Sequence, residues 1–159
     1  MKNKEAKTNA IRLLEQKKLN FKVHDYSQSD IISGPDVAAY LNENPDRVFK
    51  TLVTVGKSND HYVFLVPVNR ELDLKKAAQA VDEKNISMVK SKELLPLTGY
   101  IHGGCSPIGM KKFFTTIIDA SAKDFDEIIF SAGKIGFQIE MSLEDLKKII
   151  PFRFDEITI

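Results

Sequence analysis

Gly103-Gly104-Cys105-Ser106-Pro107-Ile108-Gly109 is the most distinctive stretch of this chain. Three glycines and a proline in seven residues exclude both a helix and a central strand, so the stretch must be a loop. Because glycine has no Cβ, a ligand can come close to backbone N–H groups in such a loop. The loop can therefore cradle an anion, a developing oxyanion or a terminal ribose. The alternative is a tight turn between two strands with no ligand.

A second informative stretch, Arg47-Val48-Phe49-Lys50-Thr51-Leu52-Val53, places a lysine at the beginning of an apolar strand. A rigid strand would direct the compact cation of Lys50 at whatever lies above the sheet. A carbonyl, a carboxylate or a phosphate would suit it. The alternative is a solvated charge at the end of a strand, which is the usual role of a lysine there.

Outward from these stretches the pattern alternates helices and strands, and no linker, repeat or low-complexity run divides the chain. Ser33 and Ser142 are predicted N-caps of capping boxes, each just before a helix. The predicted helices cover residues 8–19, 33–41, 74–81, 91–95 and 142–150. The predicted strands cover residues 21–24, 50–55, 61–68, 86–89, 99–102, 115–119, 127–131, 137–140 and 152–157. This order predicts one domain over 1–159 with a mixed α/β fold (α+β), a curled sheet with helices packed outside.

Composition limits the function classes. The chain has 159 residues, 43% of them hydrophobic, which is enough for a core. No run approaches ~20 apolar residues, and Met1–Lys7 lacks the apolar segment of a secretory signal. A single cysteine cannot form an internal disulfide. With no secretory signal, we therefore expect a cytoplasmic location. With no long apolar run, we expect no membrane association.

The net charge of +1 argues against a protein that grips nucleic acid unaided, because phosphate neutralisation supplies most of that affinity. A local basic patch at Lys111, Lys112 and the N-terminal lysines is the remaining possibility. Any nucleic-acid contact is therefore expected to be small or shared with another protein.

The candidate chemical groups are few. His24, His61 and His102 are scattered without the spacing of a zinc site, so no metal or other cofactor is expected. Cys105 is open to two interpretations: a nucleophile activated by nearby amides and lysines, or a small buried apolar residue. No Gly-x-Ser-x-Gly elbow, Walker signature or catalytic carboxylate pair is present.

Taken together, the two stretches resemble the YbaK/EbsC family, the free-standing relatives of the editing domain inserted in bacterial prolyl-tRNA synthetase. The resemblance runs over nearly the whole chain. It is carried by Lys7-Thr8-Asn9-Ala10, Val48 to Val53, Pro67-Val68, Glu71 to Lys75, Gly103 to Gly109 and Ser131-Ala132-Gly133-Lys134.

This resemblance implies a barrel-like mixed sheet flanked by helices, and hydrolysis in trans of the ester between a wrong amino acid and tRNA. The Phe-Lys-Thr and Gly-Gly-Cys-Ser-Pro-Ile-Gly forms are similar to the branch that clears cysteine from the tRNA for proline. The implied partners are the 3′ aminoacyl end of a mischarged tRNA and prolyl-tRNA synthetase.

The resemblance also assigns residues. Lys50 corresponds to the functional lysine, and Tyr26 and Thr51 to the wall of the pocket. At Gln138 many relatives have an aspartate, so this chain keeps a hydrogen-bonding group but loses a charge. The loop around the terminal adenosine and the ester comprises Gly103, Gly104, Cys105, Ser106, Pro107, Ile108 and Gly109.

Ester hydrolysis suits these parts, because fixed N–H groups can stabilise the developing oxyanion without a protein nucleophile. In the cysteine branch the substrate's own thiol could attack its ester carbonyl. Two rivals remain open: a module that binds aminoacyl ends or nucleotides without chemistry, and a thiol enzyme or redox sensor that uses Cys105.

Overall fold

The computed structural model describes residues 7–159, in which helices and strands alternate as predicted. The five α-helices are α1 (Asn9–Gln16), α2 (Gly34–Tyr40), α3 (Leu74–Ala80), α4 (Ser91–Thr98) and α5 (Leu143–Ile149). The eight strands are β1 (Lys22–Asp25), β2 (Phe49–Gly56), β3 (His61–Pro67), β4 (Ile86–Met88), β5 (Thr115–Asp119), β6 (Glu127–Ser131), β7 (Phe137–Ser142) and β8 (Arg153–Asp155). The described part of the chain also has two short 3₁₀ helices, at Pro45–Arg47 and Ala120–Asp124. The prediction that the N-terminal residues are not a secretory signal concerns mainly residues 1–6, which lie outside the described residues, as do the lysines at positions 2 and 4.

The predicted helix caps are confirmed. The Ser33 hydroxyl accepts a hydrogen bond from the backbone N–H of Asp36, three residues into the turn that opens α2. The Ser142 hydroxyl accepts one from the N–H of Asp145 in the same way at α5. Each cap satisfies one of the N–H groups that have no partner within the helix, so these short helices begin at defined residues.

The strands form two sheets. One has the order β4-β2-β3-β5-β8, with β2 and β3 antiparallel and the β3–β5 and β5–β8 pairs parallel. The other is the antiparallel sheet β1-β7-β6. Among the described residues, one isolated parallel bridge joins Val48, just before β2, to Ile129 in β6. The mixed α/β fold is therefore confirmed, whereas a closed barrel is not found among the described residues.

The main core fills the space between the two sheets. Its largest members include Phe49 of β2, Phe130 of β6 and Phe137 of β7, each at most 2% exposed. α1 contributes Leu14 to the same core. Within the described part of the chain, no helix is long and apolar enough to cross a membrane.

The strand predicted at residues 99–102 is wrong. α4 continues to Thr98, three residues beyond its predicted end, and Gly99 closes it in the left-handed conformation with φ 87°. The Thr98 hydroxyl then accepts the N–H of Tyr100, and the N–H of Gly104 returns to the carbonyl of Ile101. Because these backbone groups are satisfied locally, the alternation of a buried Tyr100 with an exposed Ile101 arises in a loop and not in a sheet.

Candidate functional site

A cavity of about 640 Å³ brings together residues that are far apart in the sequence. Strands β2, β6 and β7, helices α2 and α4, and the first part of the glycine loop contribute to its wall. Six of the predicted site residues line it: Tyr26, Lys50, Thr51, Gly103, Cys105 and Gln138. The other five, Gly104, Ser106, Pro107, Ile108 and Gly109, are not part of its wall.

Lys50 reaches the cavity from a part of β2 that has only one strand neighbour. Lys50 pairs with Val66 of β3, but β4 pairs with β2 only from Thr54 to Gly56. The cavity lies along β2 before that point, so Lys50 and its neighbours meet open space instead of a second strand.

The Lys50 ammonium is only loosely held. Its Nζ lies 3.6 Å from Oε1 of Glu71, whose side chain is 79% exposed. An exposed pair at this distance stabilises little, so the ammonium can turn to a ligand at small cost. The hydroxyl of Thr51 is buried and has no hydrogen-bond partner among the described residues.

The glycine loop is divided between the cavity and the core. Gly103, with φ 87°, lines the cavity, and Gly104 packs so closely that a Cβ there would lie 3.0 Å from the backbone nitrogen of Ile135. Farther on, the Tyr100 hydroxyl donates to the carbonyl of Ile108 at 2.7 Å, and Asn9 of α1 donates to the carbonyl of Gly109 at 2.8 Å. The second half of the loop is therefore tied through its carbonyls to Tyr100 and to α1.

The glycine loop brings backbone N–H groups without a protein partner to the cavity wall. Within residues 7–159, no protein acceptor hydrogen-bonds to the amide of Gly103 or Cys105. Fixed, unpaired amides beside open space are the groups from which an oxyanion site is built.

Cys105 is a poor candidate nucleophile. The residue is 6% exposed, and burial raises the pKa of its thiol to about 12, with a hydrogen bond to Thr98 opposing the shift more weakly. The thiolate is the reactive form of cysteine, and it is scarce at neutral pH for a pKa this high. The structure thus favours Cys105 as a small apolar wall residue.

We therefore expect the Gly104→Val substitution to damage the protein more than Cys105→Ala. The valine Cβ would press on the backbone of Ile135 and cost about 1–3 kcal/mol of stability, with displacement of the loop. Removing the Cys105 sulfur would cost about 1 kcal/mol and leave the loop in place. Melting temperature and deacylation rate, measured for both variants, check this. Loss of activity in a folded Cys105→Ala protein would instead support the alternative that Cys105 is the nucleophile of a thiol enzyme.

Beside the cavity, Gln138 belongs to a charged cluster that sequence reasoning missed. Gln138 and Glu140 are two residues apart on β7 and so share a face of the sheet, and His24 of β1 lies opposite Gln138. His24 Nε2 is 2.6 Å and a guanidinium nitrogen of Arg47 is 2.9 Å from the carboxylate oxygens of Glu140. Burial raises the pKa of Glu140, but these hydrogen bonds outweigh it and lower the pKa to about 2.

The fifth member of the cluster is Glu43, which follows α2. Its N–H donates to the carbonyl of Ala38 at 2.8 Å, which holds the chain against the end of the helix. Gln138 donates from its amide nitrogen to both carboxylate oxygens of Glu43, at 2.8 and 3.1 Å, in the orientation that satisfies both groups. The alternation on β7 could have suggested that Gln138 and Glu140 lie side by side, but no pattern in the sequence connects them to Glu43.

The comparisons with known proteins agree with this geometry. Residues 30–149 match the aminoacyl-tRNA editing domain family. A protein from Enterococcus faecalis, assigned by its name as the Cys-tRNA(Pro)/Cys-tRNA(Cys) deacylase EbsC, is 46% identical over 158 residues, which are 99% of this chain and 96% of that protein. A proline–tRNA ligase from Pelobacter propionicus is 27% identical over 105 residues, which are 66% of this chain and 18% of the ligase.

A solved structure also matches the fold of this chain. A crystal structure described as that of a trans-editing enzyme for prolyl-tRNA synthetase superposes with a TM-score of 0.86 at 21% identity, over 100% of this chain and 99% of the other. This likeness shows the fold, and the sequence matches carry the rest. The chain belongs to the aminoacyl-tRNA editing domain family.

Proposed function

We propose that this protein is an aminoacyl-tRNA deacylase, one editing domain that releases cysteine from mischarged tRNA for proline. The observation that carries the proposal is the meeting of Lys50 with Gly103 and Cys105 at the wall of one cavity. The proposal is further supported by family membership and by 46% identity to a protein whose name assigns this activity.

The cavity suits the end of a tRNA and not its body. Its volume of about 640 Å³ is in the range of small-molecule sites, about 300–1,000 Å³. It can hold an aminoacyl ester and part of the terminal nucleoside. In the proposed complex, the free N–H groups of Gly103 and Cys105 donate to the ester carbonyl oxygen, and Lys50 adds positive potential as that oxygen becomes negative.

The nucleophile in this scheme is the thiol of the substrate. Its sulfur attacks the carbonyl carbon of its own ester, and a C–S bond forms as the C–O bond to the ribose breaks. The thiol loses its proton to solvent before the attack, and the departing ribose oxygen takes a proton from water. Water then opens the resulting cyclic thioester to free cysteine, so the protein contributes geometry and charge stabilisation but no covalent partner.

Prolyl-tRNA synthetase is the partner we propose for recognition of the tRNA body. With a net charge of +1, the protein should bind tRNA weakly, even with Lys111 and Lys112 exposed after the glycine loop. We expect the affinity for tRNA alone to fall steeply with salt, and the synthetase to improve capture by raising the effective concentration. Binding titrations at two salt concentrations, with and without synthetase, check this. Tight binding that the synthetase does not change would contradict it.

A deacylation assay tests the proposed function. The tRNA for proline is charged separately with cysteine, alanine or proline, and the tRNA for cysteine is charged with cysteine. We expect release of cysteine from the tRNA for proline to be the fastest reaction. Binding without turnover of any of these substrates would instead identify a non-catalytic module of the same fold.

A further inference from the structure

Glu43 has no part in the hydrolysis described above, yet it determines how Gln138 meets the cavity. Both oxygens of Glu43 accept from the amide nitrogen of Gln138, at 2.8 and 3.1 Å. In this orientation of the amide Glu43 only accepts, which is the hydrogen-bonding role of an ionised carboxylate. Glu43 therefore fixes which end of the amide is nitrogen, and the oxygen is the end that Gln138 keeps for another donor.

Among residues 7–159, no cationic side chain hydrogen-bonds to Glu43. Arg47 and His24 both bond to Glu140, so the side chain that bonds to Glu43 is the neutral amide of Gln138. Glu43 is partly buried, and burial raises the pKa of its carboxyl, with Glu140 also raising it and His24, Gln138 and Arg47 opposing. The negative charge behind Gln138 is thus only partly compensated.

The same cavity carries a cation at Lys50. Any positively charged group of a ligand would be repelled there and attracted to the wall that a carboxylate supports. An aminoacyl ester has one such group, the α-ammonium, which only donates hydrogen bonds and needs an acceptor once it leaves water.

We propose that the side-chain oxygen of Gln138 accepts a hydrogen bond from the α-ammonium of the aminoacyl ester, and that Glu43 is the positioning residue that holds the amide in this orientation. This inference rests on the proposed deacylase function. It assigns two ends to the substrate site: the carbonyl toward Lys50 and the loop amides, and the amino group toward Gln138.

The test compares two esters of the tRNA for proline, cysteinyl and 3-mercaptopropionyl. They share the ester and the thiol, but the second lacks the α-ammonium. The measured quantity is the ratio of the kcat/KM values of the two esters. In Glu43→Gln the amide of Gln138 is no longer held one way round, and we expect the preference for the cysteinyl ester to fall about tenfold, the size of one charge-assisted hydrogen bond.

Two further variants make the result decisive. Glu156→Gln removes an exposed carboxylate after β8, outside the cavity, and should keep the wild-type ratio. The double variant Glu43→Gln/Gln138→Glu exchanges the two groups and puts the carboxylate at the cavity, so the preference should return. A purely structural role for Glu43 would not give this recovery.

The possible failures are distinguishable. A wild-type protein that cleaves neither ester overturns the proposed function and this inference with it. An active wild type whose ratio is unchanged in folded Glu43→Gln overturns the inference alone. If Glu43→Gln does not fold, the double variant decides: a folded double variant without the preference also overturns it.

Discussion

Replacing Lys50 with alanine should slow the release of cysteine from the tRNA for proline by about 10²–10³-fold in a single-turnover assay. This is the usual loss when one group that stabilises the developing oxyanion is removed. The fold should be unaffected, because within the described residues the one ion pair of the Lys50 side chain is with the exposed Glu71 at 3.6 Å, a contact worth less than about 1 kcal/mol. The melting temperature should therefore change little while the rate collapses.

The matched control is Lys57→Ala. Lys57 lies in the turn that follows β2, is exposed, and is not part of the cavity wall, so its loss removes the same charge without touching the site. Lys50→Arg separates charge from position, since a guanidinium keeps the charge but not the compact shape of an ammonium. Near-normal activity in a folded Lys50→Ala protein would remove Lys50 from the mechanism.

The elements of the fold were predictable where a local rule determined them. Ser33 and Ser142 begin their helices as the capping boxes indicated, because each cap depends on residues only three positions apart. The strand predicted at residues 99–102 was wrong because a strand depends on a partner that is distant in the sequence. These residues alternate as a strand does. However, Gly99 caps α4, and the N–H of Tyr100 donates to the Thr98 hydroxyl and not to a neighbouring strand.

The number of sheets was harder to predict than the strands themselves. Period-2 alternation shows that a segment is extended, but not which edge it joins. The two sheets meet through one bridge, between Val48 and Ile129, and no property of either residue marks that contact in the sequence. The sequence pattern therefore does not distinguish one curled sheet from two linked sheets.

The site was partly predictable for a related reason. Lys50 and the glycine loop stand out because their residue types are unusual for their setting. Glu43 does not, because a carboxylate in a polar turn after a helix is ordinary. Its importance comes from Gln138, which contacts it across the fold, and only the folded chain brings the two residues together.

Cysteine should be released from its tRNA far faster than alanine or serine, even when all three substrates saturate the protein. A pocket that only excluded or accepted a methylene group would discriminate by about 10–200-fold. If the substrate supplies the nucleophile, the difference lies in the chemical step and exceeds that limit, since a thiol is far more nucleophilic than a hydroxyl and alanine has no such group. Single-turnover rates of the three charged tRNAs at matched saturation check this.

The pH dependence identifies which thiol is responsible. A free cysteine side chain has a pKa of about 8.5, so a reaction that uses the substrate thiolate should accelerate as the pH rises toward that value. Burial raises the pKa of the Cys105 thiol to about 12, so a reaction that used Cys105 would keep accelerating past pH 8.5 instead of levelling there, and with the substrate thiol Cys105→Ala should leave the profile unchanged. Equal rates for cysteine and alanine would exclude substrate assistance, and the attacking group would then have to be a water molecule held by the amides of the glycine loop.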